Sequence, residues 1–304
     1  MSISPSLIRD IAAAFPGLER RENEPLSRHT SFRIGGPAAL MLLPGSVEEL
    51  SGLCVFLKGR GVRPFLLGNG TNLLFPDEGL SRVVVKTAPG TGSVAVEGDR
   101  VSAGAGATLA KTAAEALAAG LTGLEFAHGI PGSVGGGVVM NAGAYGGELK
   151  DVIAETEILD EDMTRRVLRG AEHDFSYRHS VFSGRDCVVL RSVFALTPGD
   201  PEVIAARMRE LADKRRASQP LDMPSAGSTF KRPQGGYAAA LIDEAGLKGF
   251  SVGGAQVSPK HAGFVVNTGG ATCGDVLRLI AHIQKTVSDR TGILLEPEVR
   301  IIQE

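Results

Sequence analysis

Two glycine-rich segments of the sequence could present backbone N–H groups to a negatively charged ligand. Residues 129–147, GIPGSVGGGVVMNAGAYGG, contain eight glycines in nineteen positions, and residues 68–72 read GNGTN after the apolar stretch FLL. Successive N–H groups in such turns form an anion-binding concavity, and glycine lets the backbone approach a ligand closely. Two loops of this kind could together bind a diphosphate, which favours a dinucleotide or a nucleotide sugar as the ligand.

Other interpretations of these segments are weaker. A flexible linker is polar and rich in Ser and Gly, whereas residues 129–147 also contain apolar side chains such as Val134 and Met140. The Asn-Gly pair at residues 69–70 also indicates an ordinary tight turn, and the P-loop pattern is absent. The segment GAGATLA at residues 104–110 matches a Rossmann turn only in part, because Leu109 stands where the third glycine belongs.

Three polar side chains, Arg178, Ser228 and Glu298, could carry acid–base or charge-stabilising chemistry. Alternation in FSYRHSVF predicts a strand with Arg178 on the polar face, and alternation in ILLEPEVRII predicts a strand with Glu298 on the polar face. The first strand would place Ser176, Arg178 and Ser180 opposite Phe175, Tyr177 and Val181, and the second would place Glu296, Glu298 and Arg300 opposite Leu295, Val299 and Ile301.

The residues alone leave simpler roles open for all three. A surface salt bridge explains an arginine such as Arg178. Ser228 lies in SAGSTFKRP, which predicts a glycine-rich turn, so it could be a turn or helix-cap serine. The polar face with Glu298 is either ordinary solvent surface or the wall of a cleft.

Composition narrows the class of protein. The chain has 304 residues, 43% hydrophobic and 22% charged, with a net charge of −2, which is typical of a globular protein of two or three domains and not of a nucleic-acid binder. Three dispersed cysteines favour a reducing compartment without a thiolate metal site. The N-terminal segment MSISPSLIRDIAAAF is a poor signal peptide, and no apolar run is long enough to span a membrane. We therefore expect a soluble cytoplasmic protein without a bound metal.

The elements that must position these residues follow from periodicity. We predict helices in SPSLIRDIAAAF, SVEELSGLCVFLKGRG (with a Ser46/Glu49 capping box), TLAKTAAEALAAG, PEVIAARMRELADKRRASQ, YAAALIDEAG and DVLRLIAHIQKTVSDRTG. We predict a hairpin through Gly98-Asp99, two short strands around Gly35-Gly36, and further strands in RPFLLG, SRVVVKT, VIAETEILD, RRVLR and CVVLRSVFAL. The basic end of the fourth helix, from Lys214 to Arg216, is explained by the helix dipole.

The sequence resembles the UDP-N-acetylenolpyruvoylglucosamine reductase (UDP-N-acetylmuramate dehydrogenase) family. Seven motifs occur in the order of that family and cover nearly the whole chain: HTSFRIGGPA, LLGNGTNLLF, GLEFAHGIPGSVGGGVVMNAGAYGG, FSYRHSVF, SAGSTFKRP, LIDEAGLKGFSVGGAQVSPKHAGFVVN and LEPEVRII. The resemblance implies an α+β fold, with a two-lobed FAD-binding region of the vanillyl-alcohol-oxidase type at 1–199 (lobes 1–88 and 89–199) and a C-terminal substrate-binding domain at 200–304. The short chain after residues 177–180 is similar to the branch that lacks a substrate-covering tyrosine loop.

The resemblance also implies a non-covalent FAD, with NADPH as hydride donor and UDP-N-acetylglucosamine enolpyruvate as a small-molecule substrate in peptidoglycan precursor synthesis. His128 could tether a flavin, but the family implies that it does not. The residues implied to bind the cofactor are Arg33, Gly68, Asn69, Gly70, Thr71, Asn72, Gly129, Ile130, Pro131, Gly132, Ser133, Gly135, Gly136, Asn141, Ala142, Gly143 and Tyr145. Those implied to bind the substrate are Tyr177, Lys231, Arg232 and Gln256.

The implied reaction gives the three polar side chains their roles. Hydride addition at C3 of the enolpyruvyl ether leaves negative charge over C2 and the carboxylate, which a guanidinium such as Arg178 stabilises through its planar fork. Ser228 is implied as the proton donor to C2, and Glu298 as a group that polarises the enolpyruvyl ether or assists proton delivery. Two other functions stay open: a carbohydrate oxidase of the same flavin fold, and a nucleotide-sugar binding protein without chemistry.

Overall fold

The computed structural model describes residues 3–303. The chain divides into two compact units, each built from several segments. Unit 1 comprises residues 1–21, 40–69 and 82–215, and unit 2 comprises residues 22–39, 70–81 and 216–304. The domain boundary near residue 199 remains a prediction. The two compact units differ from it, because each unit combines segments that are distant in the sequence. The first two residues of the segment considered as a signal peptide lie outside the described part.

Seven α-helices lie within residues 3–303. They are α1 (Pro5–Ala14), α2 (Val47–Lys58), α3 (Leu109–Ala118), α4 (Val134–Val139), α5 (Pro201–Ser218), α6 (Ala238–Glu244) and α7 (Cys273–Thr291). The six predicted helices are therefore confirmed, and α4 is an additional helix inside the glycine-rich segment 129–147.

The described residues also form short strands, most of them antiparallel to a neighbour. They are β1 (Glu19–Pro25), β2 (Pro37–Leu43), β3 (Phe65–Leu67), β4 (Leu73–Leu74), β5 (Leu80–Lys86), β6 (Val94–Glu97), β7 (Arg100–Gly104), β8 (Leu121–Thr122), β9 (Gly143–Ala144), β10 (Gly147–Glu148), β11 (Ile153–Leu159), β12 (Arg165–Arg169), β13 (Val188–Ala195), β14 (Thr197–Pro198), β15 (Ser225–Ser228), β16 (Ser251–Val252), β17 (Ala255–Val257), β18 (Phe264–Asn267) and β19 (Arg300–Ile301). The mixture of helices and strands confirms the α+β class.

Side-chain caps start the helices α2 and α3 of unit 1. The hydroxyl of Ser46 accepts from Glu49 N at 3.0 Å, and that of Thr108 accepts from Lys111 N at 3.0 Å. The predicted capping box at α2 is only half formed, because the Glu49 carboxylate accepts from Gly45 N and not from the Ser46 backbone. Each cap satisfies an N–H group that has no partner within its helix.

Unit 1 contains two sheets and two hydrophobic cores. A sheet of order β1-β2-β5-β3 lies mostly in this unit and packs against α2, with Leu42, Leu53 and Val83 fully buried. An antiparallel sheet of order β12-β11-β13-β7-β6 packs against α3 and α4 around Val101 and Phe194. The hairpin predicted through Gly98-Asp99 is confirmed, since Glu97 pairs with Arg100 and Gly98 has a φ of 58°. These cores fix the position of the glycine-rich segment.

Unit 2 combines the C-terminal region with two segments from the first third of the chain. Its antiparallel sheet has the order β15-β18-β17-β16 and packs against α6 and α7 around residues such as Val257 and Leu279. Phe32 and Leu74 are buried in the same core, and β4 pairs in parallel with β19. Burial of these apolar side chains explains why the N-terminal segments belong to unit 2.

One strand predicted in the N-terminal region is wrong. We expected a strand on either side of Gly35-Gly36, but only β2 follows these glycines. The residues before them form a 3₁₀ helix, Leu26–His29, and a turn in which Arg33 has a φ of 56°. This left-handed backbone is incompatible with an extended strand.

Candidate functional site

The two glycine-rich segments contact each other within unit 1. The Asn69 side chain donates from Nδ2 to the carbonyl oxygen of Pro131 at 3.0 Å. A Cβ atom at Gly68 would collide with the hydroxyl oxygen of Ser133. A side chain at position 68 would have to displace the Ser133 hydroxyl group, so glycine suits the close approach of the second segment. The prediction that residues 129–147 form packed structure instead of a linker is confirmed.

Several backbone N–H groups of this contact remain available to a ligand. Within residues 3–303, the N–H groups of Gly68, Asn69, Gly132 and Ser133 donate no hydrogen bond. By contrast, Gly135 N donates to the Ala105 carbonyl at 2.9 Å, so that amide is used to hold the segment against β7. Neighbouring unpaired N–H donors suit the oxygens of an anionic group.

A lysine lies behind the first segment. Lys86 Nζ, at the end of β5, donates to the carbonyl oxygen of Gly68 at 3.1 Å. Burial, and secondarily the charge of Arg21, lowers the pKa of Lys86. This hydrogen bond orients the Gly68 carbonyl group toward Lys86 on β5.

The second half of the glycine-rich segment is a tight hairpin. Strands β9 and β10 are joined by Tyr145 and Gly146, whose φ angles are 53° and 91°. Two consecutive residues with positive φ match a two-residue hairpin turn. Tyr145 lies at the tip and is 42% exposed, whereas Asn141, just before β9, is fully buried.

Arg178 lies on a turn, and the strand predicted for FSYRHSVF is wrong. Ser176 and His179 exchange two backbone hydrogen bonds of 3.2 Å, which places Tyr177 and Arg178 at the tip. Arg178 has a φ of 55°, so the alternation of faces expected for a strand does not apply. Its Nη2 donates to the Gly143 carbonyl oxygen at 3.4 Å, which brings the guanidinium to the β9–β10 hairpin.

Arg215 is a candidate that the sequence prediction missed. Its Cδ and Nη1 lie 3.4 and 3.5 Å from the position of a Cβ on Gly129, so this half-buried arginine packs against the start of the glycine-rich segment. Burial lowers the pKa of Arg215, and the nearby Tyr145 raises it in opposition. In the sequence, the position of Arg215 near the C-terminal end of a helix is explained by the helix dipole. A basic helix end alone does not indicate a contact with the glycine-rich segment.

In unit 2, Ser228 ends the strand β15, so the predicted glycine-rich turn is wrong. The register between β15 and β18 shifts between Ser225 and Ser228, and Gly227 has a φ of 76°. This irregularity is a β-bulge, a feature that re-aims side chains and is common beside active sites. It leaves Ser228 exposed between the buried residues Ala226 and Thr229.

The backbone of Glu298 contacts Thr229, the residue that follows Ser228. Glu298 N donates to the Thr229 carbonyl oxygen at 2.8 Å, and Asn72 Nδ2 donates to the Glu298 carbonyl oxygen at 3.1 Å. Asn72, expected to contact the cofactor, thus holds the backbone of Glu298. The structure brings Ser228 and Glu298 together within unit 2, whereas Arg178 belongs to unit 1.

The strand predicted for ILLEPEVRII is present only at its end. Arg300 and Ile301 pair with β4, while Phe230 and Pro297 form an isolated bridge. Proline has no N–H group for a ladder, which limits pairing at this position. Val299 is buried as predicted, but Ile301, expected on the same apolar face, is 36% exposed.

The residues implied to bind the substrate have partners inside their own unit. Lys231 forms a salt bridge with Glu296 at 3.1 Å, and the guanidinium of Arg232 lies 4.1 Å from the ring centre of Tyr237. Gln256 Nε2 donates to the Gly249 carbonyl and the Ser251 hydroxyl oxygen at 3.1 and 3.0 Å. All three lie in unit 2, whereas Tyr177 is exposed on the Arg178 turn of unit 1.

Comparison with known families defines the class of protein. Residues 38–169 match the family described as FAD binding domain, and residues 219–302 match the C-terminal domain of UDP-N-acetylenolpyruvoylglucosamine reductase. This combination is that of a flavin-dependent oxidoreductase, and it confirms the predicted fold with an FAD-binding domain and a separate C-terminal domain.

Whole-chain relatives identify the family. UDP-N-acetylenolpyruvoylglucosamine reductases of Caldanaerobacter subterraneus subsp. tengcongensis and Pediococcus pentosaceus are 52% and 48% identical, covering 93% and 97% of this chain and 93% and 98% of their own lengths. The crystal structure of the Thermus caldophilus enzyme is 36% identical, with a TM-score of 0.80 over 94% of this chain and 99% of that chain. The chain belongs to the UDP-N-acetylenolpyruvoylglucosamine reductase family.

A more distant structure is similar in fold alone. An alkyldihydroxyacetonephosphate synthase is 15% identical, with a TM-score of 0.50 over 65% of this chain and 41% of that chain. Among the helices described between residues 3 and 303, none is long and apolar enough to cross a membrane. In the same part of the chain, we find no cluster of three His, Cys, Asp or Glu side chains that could hold a metal.

Proposed function

We propose that the protein reduces UDP-N-acetylglucosamine enolpyruvate to UDP-N-acetylmuramate with NADPH, using non-covalent FAD, in the cytoplasmic synthesis of peptidoglycan precursors. The observation that carries the proposal is the contact between the two glycine-rich segments, inside a region that matches an FAD-binding domain. The overall reaction consumes one NADPH and one proton and leaves NADP⁺. The three cysteines, which form no disulfide, are compatible with a reducing compartment.

The unpaired N–H groups of Gly68, Asn69, Gly132 and Ser133 are the donors that we assign to the FAD diphosphate. The hydrogen bond between Asn69 and Pro131 holds the two loops together, so these N–H donors lie near one another and suit a negatively charged group. The other residues implied to bind FAD, apart from Arg33, lie in the same two segments, residues 68–72 and 129–147.

The chemistry that FAD would supply when bound is hydride transfer from NADPH to C3 of the enolpyruvyl ether, which is completed by addition of a proton at C2. In this proposal, Arg178 binds the substrate carboxylate and stabilises its developing charge. Ser228 donates the proton to C2, and the exposed position that the β-bulge gives it supports access to the substrate. Glu298 N donates to the carbonyl oxygen of Thr229, the residue after Ser228, and this backbone contact supports the role assigned to Glu298 in assisting that proton transfer.

The substrate diphosphate and sugar are assigned to Tyr177, Lys231, Arg232 and Gln256. Lys231 and Arg232 supply positive charge, and both are held by neighbours, Glu296 and Tyr237, which reduces the freedom that they lose on binding. Gln256 keeps its amide oxygen for a ligand, because its Nε2 is bonded within unit 2.

The test is spectroscopic. The purified protein is expected to show flavin absorbance that is lost on acid denaturation and filtration, because the flavin is not covalently attached. Anaerobic NADPH should bleach this absorbance, and UDP-N-acetylglucosamine enolpyruvate should then restore it. Restoration only by oxygen would indicate the oxidase of the same fold, and absence of flavin would indicate a binding protein without chemistry.

A further inference from the structure

Asn141 joins the glycine-rich segment to the turn that carries Arg178. This fully buried residue has a φ of 42°. Its Nδ2 donates to Glu148 Oε2 at 2.9 Å and to the Ser176 carbonyl oxygen at 3.0 Å. Its Oδ1 accepts from Lys150 N at 3.0 Å. One side chain of the segment thus connects residues 148 and 150, just after the segment, with residue 176 of the turn.

The partners determine the orientation of the Asn141 amide. Lys150 N is a donor, whereas the Glu148 carboxylate and the Ser176 carbonyl are acceptors. A reversed amide would place oxygen against two oxygens and nitrogen against an N–H group. Both Nδ2 hydrogens are therefore used inside the protein, and the buried network leaves no side-chain donor for a cofactor.

Ser176 is the residue through which Asn141 reaches Arg178. The Ser176 carbonyl oxygen also accepts from His179 N at 3.2 Å, and this bond closes the turn with Tyr177 and Arg178 at its tip. Arg178 has the left-handed backbone that such a tip requires, so the direction of its side chain depends on the turn staying closed. Displacement of Ser176 would displace the guanidinium.

Glu148 contributes a negative charge next to Asn141 and Arg178. Its carboxylate forms a 2.7 Å salt bridge with Lys150. The hydrogen bond from Lys150, and further contributions from Asn141 and the charges of Lys150 and Arg178, lower the pKa of Glu148 against the opposing effect of burial. Glu148 therefore remains an anion that orients the Asn141 amide and attracts the Arg178 guanidinium.

We propose that Asn141 is a positioning residue for Arg178, held in its orientation by Glu148, and not a ligand of the cofactor. The inference rests on the role of Arg178 in the proposed function. It assigns to Asn141 an effect on the step in which the substrate carboxylate is bound and its charge stabilised, with no effect on FAD binding or on the oxidation of NADPH.

The decisive variant is Asn141→Asp in the holoenzyme, which is nearly isosteric but replaces the Nδ2 donor by an oxygen. We expect the FAD dissociation constant and the rate of bleaching by NADPH to stay within about twofold of wild type. Reoxidation by the enolpyruvyl substrate should slow on the order of 10- to 100-fold, as a displaced catalytic group does. Asn23→Asp is the matched control, because exposed Asn23 also has a positive φ, of 51°.

Two further variants guard against simple misfolding. Glu148→Gln keeps an acceptor for Asn141 but loses the charge, and we expect reoxidation to slow by less than in Asn141→Asp. In the double variant Asn141→Asp with Glu148→Gln, donor and acceptor are exchanged in the contact between residues 141 and 148 but not in the contact with the Ser176 carbonyl, so only a small part of the lost rate should return. A further loss in the double variant would contradict the orientation that we assign.

A cycle with Arg178→Lys separates this inference from the proposed function. If Asn141 acts through Arg178, adding Asn141→Asp to Arg178→Lys slows reoxidation little further, whereas independent effects multiply. Wild-type reoxidation in Arg178→Lys would remove Arg178 from the proposed function. Three results would overturn the inference about Asn141 and leave the proposed function intact. The first is slow reoxidation in Arg178→Lys together with wild-type reoxidation in Asn141→Asp, and the second is effects of the two substitutions that multiply. The third is a weakened FAD affinity of Asn141→Asp together with normal reoxidation.

Discussion

The side-chain amide nitrogen of Asn69 lies 3.0 Å from the carbonyl oxygen of Pro131, and this hydrogen bond joins two segments 62 residues apart. It brings the two loops that carry unpaired N–H groups into one place within unit 1. Neither loop has a strong sequence signature by itself, so the contact between them is what turns two ordinary turns into a candidate diphosphate site.

Gly68→Ala tests this contact. The added methyl group would collide with the Ser133 hydroxyl oxygen, so we expect the loops to separate and the FAD dissociation constant to rise at least about tenfold. Overpacking of this kind also lowers the free energy of unfolding by about 1–3 kcal/mol. Fluorescence titration with FAD and urea denaturation measure the two effects.

Gly17→Ala is the control for the glycine substitution, because no atom lies within 4 Å of a Cβ at that exposed position of the same unit. Its FAD affinity and stability should match those of wild type. If Gly68→Ala bound FAD as tightly as this control, the glycine-rich contact would not be the cofactor site.

Ser228→Ala tests proton donation. We expect bleaching of the flavin by NADPH to be unchanged, while reoxidation by the enolpyruvyl substrate slows by about 10²–10⁴-fold, the typical effect of a lost general acid. Anaerobic stopped-flow absorbance measures each half-reaction separately. Ser225→Ala, in the same strand β15, serves as the control and should be unaffected. Normal reoxidation in Ser228→Ala would exclude this serine as the acid.

Most regular elements of the fold were predictable from local patterns. The helices have apolar periodicity, α2 has its cap at Ser46, and the β6–β7 hairpin has a glycine at its turn. Both signals act between residues close in sequence, so they can be read without tertiary structure.

The predictions from local sequence patterns are wrong where backbone conformation and contacts between distant residues determine the structure. FSYRHSVF alternates like a strand, but the left-handed Arg178 and the bond from Asn141, 35 residues earlier, make it a turn. SAGSTF was predicted as a turn because of Gly227, yet that glycine forms a bulge within a strand. The motifs pointed to the segments of the site, whereas the contacts of Asn141 and Arg215 depend on residues distant in sequence.

The cysteines should be slow to react with thiol reagents. Burial raises the pKa of Cys54 to about 12 and that of Cys273 to about 11, so neither forms the reactive thiolate near neutral pH. We expect Cys187, which is only partly buried, to be labelled first by a disulfide reagent in the native protein. Mass spectrometry of labelled peptides identifies the site, and early labelling of Cys54 would contradict its burial in the α2 core.

His173 should make unit 1 less stable as the pH falls. Its ring is fully buried, with Nδ1 donating to the Gly170 carbonyl oxygen at 3.1 Å and Nε2 lying 2.9 Å from Thr156 Oγ1. Burial lowers the pKa of His173, against smaller raising effects of the Gly170 carbonyl and Glu172. Below its ordinary pKa of about 6.5, the unfolded chain therefore binds the proton more readily than the folded protein, and stability is lost.

The measurement compares wild type with His173→Gln by urea denaturation at fixed FAD concentration, between about pH 7.5 and 5.5. The variant lacks the titrating group, so the wild-type advantage in free energy of unfolding should shrink as the pH falls below about 6.5, by at most about 1.4 kcal/mol per pH unit. Other groups, including His261 in unit 2, titrate equally in both proteins and cancel in the difference. An advantage that stays constant over this range would mean that His173 is protonated as easily in the folded protein as in the unfolded chain.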